Sequence, residues 1–118
     1  MTLRRSLTAI SLAVTLAVLA ACDSSEERAE KHYQSGLEYL QAGDVSRALV
    51  EFRNVFKLNG KHKEARRTYA KVELERGNTR EAFSQYLRLV EQFPDDLEGL
   101  HALAEIAAQN NDWESATR

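Results

Sequence analysis

The side chains able to do chemistry are few and scattered. The chain holds one cysteine, Cys22, and three histidines, His32, His62 and His101. A lone cysteine can neither close an internal disulfide nor build a paired-cysteine redox or zinc motif. The histidines are separated by 30 and 39 residues, and no two stand four apart as a helix-borne metal pair requires. The carboxylate pairs Glu73/Glu75 and Asp95/Asp96 lack an accompanying nucleophile or glycine-rich turn. The second pair is more simply a helix start, where negative charge is favoured. No G-x-x-x-x-G-K-[ST], G-x-S-x-G or H-E-x-x-H motif occurs. These types and spacings point to no catalysis, metal, cofactor or small-molecule substrate.

Cys22 nevertheless has a chemical setting. Arg4 and Arg5 precede an uncharged, mostly apolar run from Ser6 to Val18, which closes with Leu19-Ala20-Ala21-Cys22. Charge returns at once with Asp23, Glu26, Glu27 and Arg28. A basic start, a short apolar core and small residues before a cut point make a secretory signal. Ser6 to Ala21 is 16 residues, short of the roughly 20 that span a bilayer. Leu19-Ala20-Ala21-Cys22 resembles the lipobox of bacterial lipoproteins. That resemblance implies that residues 1–21 are a signal peptide, cleaved before Cys22, with a thioether lipid on its sulfur and an acyl chain on its new amine. Several chains, at about 0.8 kcal/mol per buried CH₂, anchor a protein where one chain is marginal. Residues 22–28 then read as the lipidated cysteine and a polar tether. The implied location is the bacterial cell envelope, on a membrane facing the periplasm. Asp23 resembles the signal by which enteric-type lipoproteins stay in the inner membrane.

Charge argues against nucleic acid. Formal net charge is −2, and it becomes −4 once Arg4 and Arg5 are removed with the signal. A mildly acidic domain has no general attraction to phosphates. Lys61-His62-Lys63 with Arg66-Arg67 is the one basic cluster. It could meet anionic headgroups or an acidic partner, but reads more simply as a solvated connection between hairpins.

Helices must position whatever acts. Apolar residues recur at i, i+3, i+4 and i+7 in five stripes. The stripes are Tyr33–Leu40, Val45–Phe56, Ala65–Val72, Ala82–Phe93, and finally Leu100, Leu103, Ala104 and Ala107. No alternation typical of strands is present. Gly43-Asp44 and Gly77-Asn78 each offer a helix-ending glycine followed by a capping side chain. Phe93-Pro94-Asp95-Asp96 ends one helix and caps the next. The expected class is all-α, built of antiparallel helix pairs.

A shift of 34 superimposes these features. Gly36 falls on Ala70 and Ala104, Gly43 on Gly77 and Asn111, and Ala48 on Ala82 and Ala116. Phe52 falls on Tyr86, and Gly60 on Pro94. The small residues belong where the helices of a hairpin cross closely, and the aromatic fills the space below. The pattern resembles the tetratricopeptide repeat. In that frame the units are 29–62, 63–96 and an incomplete 97–118, a tandem α-solenoid. The family's tryptophan at position four is replaced by His32, Arg66 and Leu100; its tyrosine at eleven is Tyr39, then Glu73 and Ala107. The frame predicts a turn at Asn111-Asp112 and a second helix of the third unit beginning there.

The resemblance implies a binding role. The family's concave face is lined by the first helix of each pair. Here that face comprises Tyr33, Gln34 and Leu37, then Arg67, Thr68 and Lys71, then His101 and Glu105, with Leu40, Glu75 and Glu98 on the same surface. A mixed groove suits an extended peptide or a partner helix. The family's chaperone-type carboxylate clamp has no counterpart, since its places hold residues such as Leu37, Thr68, Glu98 and Ala102. The expected function is a membrane-anchored scaffold for protein partners. The alternative is the recognition arm of a longer enzyme, or a component of a secretion or exopolysaccharide system, with its catalytic part beyond residue 118.

Overall fold

The computed structural model describes residues 23–116, with side chains through residue 110. Five helices follow one another: α1 (Ser25–Gln41), α2 (Val45–Leu58), α3 (Lys63–Glu75), α4 (Thr79–Gln92) and α5 (Leu97–Ala116). No strand occurs among the described residues. Helices α1 and α2 form one antiparallel hairpin, α3 and α4 a second, and α5 lies against α4. The all-α expectation holds.

The first helix begins earlier than its apolar stripe indicates. Ser24 Oγ accepts from Glu27 N at 3.1 Å, and Glu27 Oε2 accepts from Ser24 N at 3.3 Å. This reciprocal cap satisfies two donors that a helix start leaves open. The polar stretch expected to be tether through Arg28 is therefore helical from Ser25.

The two hairpin turns are built alike. Gly43 N and Asp44 N donate to Leu40 O and Tyr39 O, and Gly77 N and Asn78 N donate to Leu74 O and Glu73 O. Both glycines have positive φ, +77° and +84°, where a side chain would be strained. The capping residues then diverge. Asp44 Oδ1 accepts from Arg47 N at 3.1 Å, as expected. Asn78 makes no side-chain cap to α4; its Nδ2 donates to Glu73 Oε2 at 2.7 Å instead. The buried carboxylate of Glu73 draws the amide back toward the preceding helix.

The turn predicted at Asn111-Asp112 does not form, and α5 runs unbroken to Ala116. Asn111 stands where the earlier turns have glycine. A left-handed turn costs Asn more than Gly, and continued backbone hydrogen bonding along α5 outweighs it.

The core falls into two clusters, and α3 belongs to both. Ala65, Tyr69 and Val72 pack with Ala29, Ala48, Leu49, Phe52 and Val55. Ala70 packs with Ala82, Tyr86, Leu89 and Ile106. One helix thus closes the first hairpin and opens the second, which is how stacked repeats share a continuous core. Gly36 shows how tight the crossing is: a Cβ there would lie 2.5 Å from Phe52 Cε1. The stripe expected on α5 is rotated. Ile106, with Ala102 and Leu103, faces the core, whereas Leu100, Ala104 and Ala107 are exposed. The packing against α4 selects the first face; the second would need another helix.

Candidate functional site

Helices α1, α3 and α5 present one surface, and a pocket of about 330 Å³ sits at its centre. Its lining comes from Leu40, Arg67, Thr68, Lys71, Val72, Glu75 and Glu98. Leu40 and Val72 give an apolar floor; Thr68, Lys71 and the glutamates give a polar rim. Six of these seven residues lie on the face read from the repeat frame. Val72 is the exception, because at 7% exposure it also belongs to the core.

The expected binding residues do not all share one role. Thr68 and the exposed Lys71 line the pocket. Arg67 lines it too, but its guanidinium is committed elsewhere. It donates to Asp96 Oδ2, and its Nε lies 3.2 Å from Glu98 Oε2 without the alignment of a hydrogen bond. Tyr33 is half-buried, its ring 4.9 Å from His62 and 6.0 Å from Phe52. Leu37 is half-buried against the first cluster. Gln34 is exposed and donates to Glu30 Oε1 at 2.8 Å. His101 and Glu105 are exposed on α5 and stand apart from the pocket lining. Cys22 lies outside the described residues.

Beside the groove, Asp96 ties the second hairpin to α5. It is only 3% exposed. Its Oδ1 caps α5 by accepting from Gly99 N at 2.8 Å, and Oδ2 receives Arg67 and, at 3.5 Å, Lys63. Burial alone would raise its pKa, but the Gly99 N–H, Arg67 and Lys63 outweigh it and hold the carboxyl below its ordinary value. Arg67 is shifted up, chiefly by its hydrogen bond to Asp96. At the other end of the face, Glu30 is lowered by hydrogen bonds from Gln34 and then His62.

Much of the basic cluster is engaged within the fold. His62 Nδ1 accepts from Ala65 N at 3.2 Å and so caps α3, while Nε2 meets Glu30 Oε2 at 3.0 Å. Lys63 pairs with Asp96 and lies 5.3 Å from the Phe93 ring centre. Arg66 is 3% exposed. His62, Lys63, Arg66 and Arg67 are thus engaged within the fold, while Lys61 is exposed.

Arg66 reveals what replaced the aromatic at position four. Its Nη1 donates to Gln85 Oε1 at 2.6 Å, its Nη2 donates to Gly60 O at 2.9 Å, and its carbon stands 4.3 Å from the Phe56 ring centre. Burial, and then Arg88, lower its pKa. One repeat earlier, His32 Nδ1 meets Glu51 Oε2 at 2.6 Å. Both pairs span nineteen residues across a hairpin. The signal was present in the sequence as a polar residue at the same two places of both repeats.

Among the described residues no three His, Cys, Asp or Glu side chains converge as metal ligands. The arrangement is a repeat array of helical hairpins with a shallow groove, the architecture of a protein-interaction module. The tetratricopeptide repeat family matches residues 39–104, and the chain belongs to that family. No curated protein matches it. Repeats of this family bind protein or peptide partners, and so an interaction role is assigned to this chain.

Proposed function

We propose that this protein is a lipid-anchored, non-catalytic scaffold of the bacterial envelope that holds a peptide or helix of a protein partner in the α1/α3/α5 groove. The observation that carries the binding role is the pocket around Thr68 and Lys71, where side chains from three repeats converge. An apolar floor with a few polar groups is the usual make-up of a peptide-binding groove. The anchor rests on Leu19-Ala20-Ala21-Cys22 behind a basic, apolar leader. Among the described residues no helix is long and apolar enough to cross a membrane, so lipid on Cys22 would supply the attachment. Asp23 favours the inner membrane and a periplasm-facing array.

The test places a photo-crosslinking amino acid at Thr68 or Lys71 in cells and identifies the captured species. Capture of a discrete envelope protein at these positions, and not at Arg53 on the exposed side of α2, is expected. Equal capture at both would remove the groove from the proposal. Cys22→Ser tests the anchor separately: the acyl mass should disappear and the protein should leave the membrane fraction. Unchanged membrane association refutes lipidation.

A further inference from the structure

Exposed charge is sorted between the two sides of the array. Helices α2 and α4 carry five exposed cations, Arg47, Arg53, Lys57, Arg80 and Arg88, against one exposed acid, Glu91. On α1, α3 and α5, through residue 110, exposed acids outnumber exposed cations eight to three. The other two acids of α2 and α4 are half-buried and engaged: Glu51 pairs with His32, and Glu81 accepts from Gln85 Nε2 at 2.9 Å. The outer side is the same in both hairpins. Ser46, Val50, Arg53 and Lys57 lie 34 residues before Arg80, Ser84, Leu87 and Glu91, and all eight are exposed. Their spacing puts each set on one helical face, opposite the buried Ala48, Phe52 and Val55 or Ala82, Tyr86 and Leu89. Val50 and Leu87, 47% and 41% exposed, stand among the cations.

We propose that this outer side of α2 and α4 rests on an anionic lipid surface. Cations strung along a helix with aliphatic side chains between them are the make-up of an interfacial face: the apolar groups enter the headgroup boundary and the cations meet lipid charge. The cations are available for it. Arg53, Lys57 and Arg88 form no salt bridge among the described residues. Arg47 stands 3.3 Å from Asp44, yet its side chain is 71% exposed. Arg88 also lies near enough to the buried Arg66 to lower its pKa, a repulsion that a lipid phosphate beside Arg88 would relieve. The spread of the charge favours a bilayer over an acidic protein. From Arg47 to Lys57 it runs about 15 Å along α2, and α4 repeats the face one hairpin on with Leu87 exposed at its middle. The carboxylate-rich side, with the groove, would then be turned away from the lipid, which repels it. This orientation requires neither lipid on Cys22 nor an occupied groove.

The test uses the full chain carrying Cys22→Ser, which removes the native thiol and any lipid on it. A polarity-sensitive fluorophore is attached through Leu87→Cys on the outer side or, in a second protein, through Gln34→Cys on the groove side. Vesicles of equimolar phosphatidylglycerol and phosphatidylcholine should shift the emission of the first label to shorter wavelength and leave the second unchanged. Vesicles of phosphatidylcholine alone should shift neither. Arg53→Glu with Arg88→Glu should weaken the response at least about tenfold. Raising the salt concentration on the chain without these reversals should weaken it likewise, which tests the charge without altering the fold. No shift at the first label, equal shifts at both labels, or a shift with phosphatidylcholine alone overturns the proposal. A response indifferent to both salt and charge reversal does so too. Binding to soluble polyglutamate as tight as to the anionic vesicles would assign the face to an acidic protein, and overturns it as well.

Discussion

Arg66 on α3 donates to Gln85 on α4 at 2.6 Å, from the place where the family carries a tryptophan. A large apolar anchor has been exchanged for a charged one, held also by Gly60 O, which accepts from Nη2, and by the Phe56 ring, while Nε is buried without a hydrogen-bond partner. Removing one member of such a buried set leaves the others without partners. Arg66→Ala is expected to destabilise the protein by about 2–4 kcal/mol. Arg66→Lys should recover only part of this, because an ammonium cannot serve both acceptors with a planar fork. Urea unfolding of the three proteins checks both statements; equal stability of Arg66→Ala and wild type would refute the first.

Acid should loosen the junction of α5 with the second hairpin. The Asp96 carboxyl is held below its ordinary 3.8. Its contribution is therefore complete above that value and fades as pH falls through the lower, folded-state pKa. Asp96→Asn should cost stability at pH 7 and cost progressively less as pH falls below the ordinary carboxyl value of 3.8. Thermal unfolding of both proteins across this range tests it, and parallel curves would show that Asp96 contributes nothing through its charge.

The crossing of α1 and α2 leaves no room for a methyl group. Gly36→Ala should destabilise by about 1–3 kcal/mol through overpacking on Phe52. Phe52→Leu alone should also destabilise, by opening a cavity. The double variant should be more stable than the sum of the two losses implies, since each relieves the other. Strict additivity in a denaturation cycle would contradict direct contact as the cause.

Groove and fold should separate experimentally. Thr68→Arg fills the pocket from a half-buried position at its rim. It is expected to lower partner capture at least about tenfold while changing unfolding free energy by less than about 1 kcal/mol. A matching loss of stability would mean that Thr68 belongs to the core rather than to the binding surface.

Much of this architecture was legible because apolar periodicity and the size of side chains at crossings are local, repeated signals. Gly36 over Phe52 and Ala70 over Tyr86 follow from them directly. The groove was legible to the same degree, with Val72 missed because core and pocket share it. Polar side chains were harder. Arg67 looked free for a ligand, and only the fold brings Asp96, twenty-nine residues away, under its guanidinium. His62 looked like part of a basic patch until its ring was seen to cap α3. The start of α1 was missed for a different reason: Ser24 and Glu27 act through hydrogen bonds, which leave no apolar stripe.

That early start alters what an anchor at Cys22 would mean. Only Asp23 and Ser24 separate it from α1, and both are engaged, Asp23 with Lys31 and Ser24 with Glu27. At roughly 3.3–3.6 Å per residue, the slack amounts to about 10 Å. A lipid on Cys22 would then act as a mounting bolt rather than a leash. The array could pivot at its foot but not drift outward, and partners would meet it within a thin layer of known height above the bilayer.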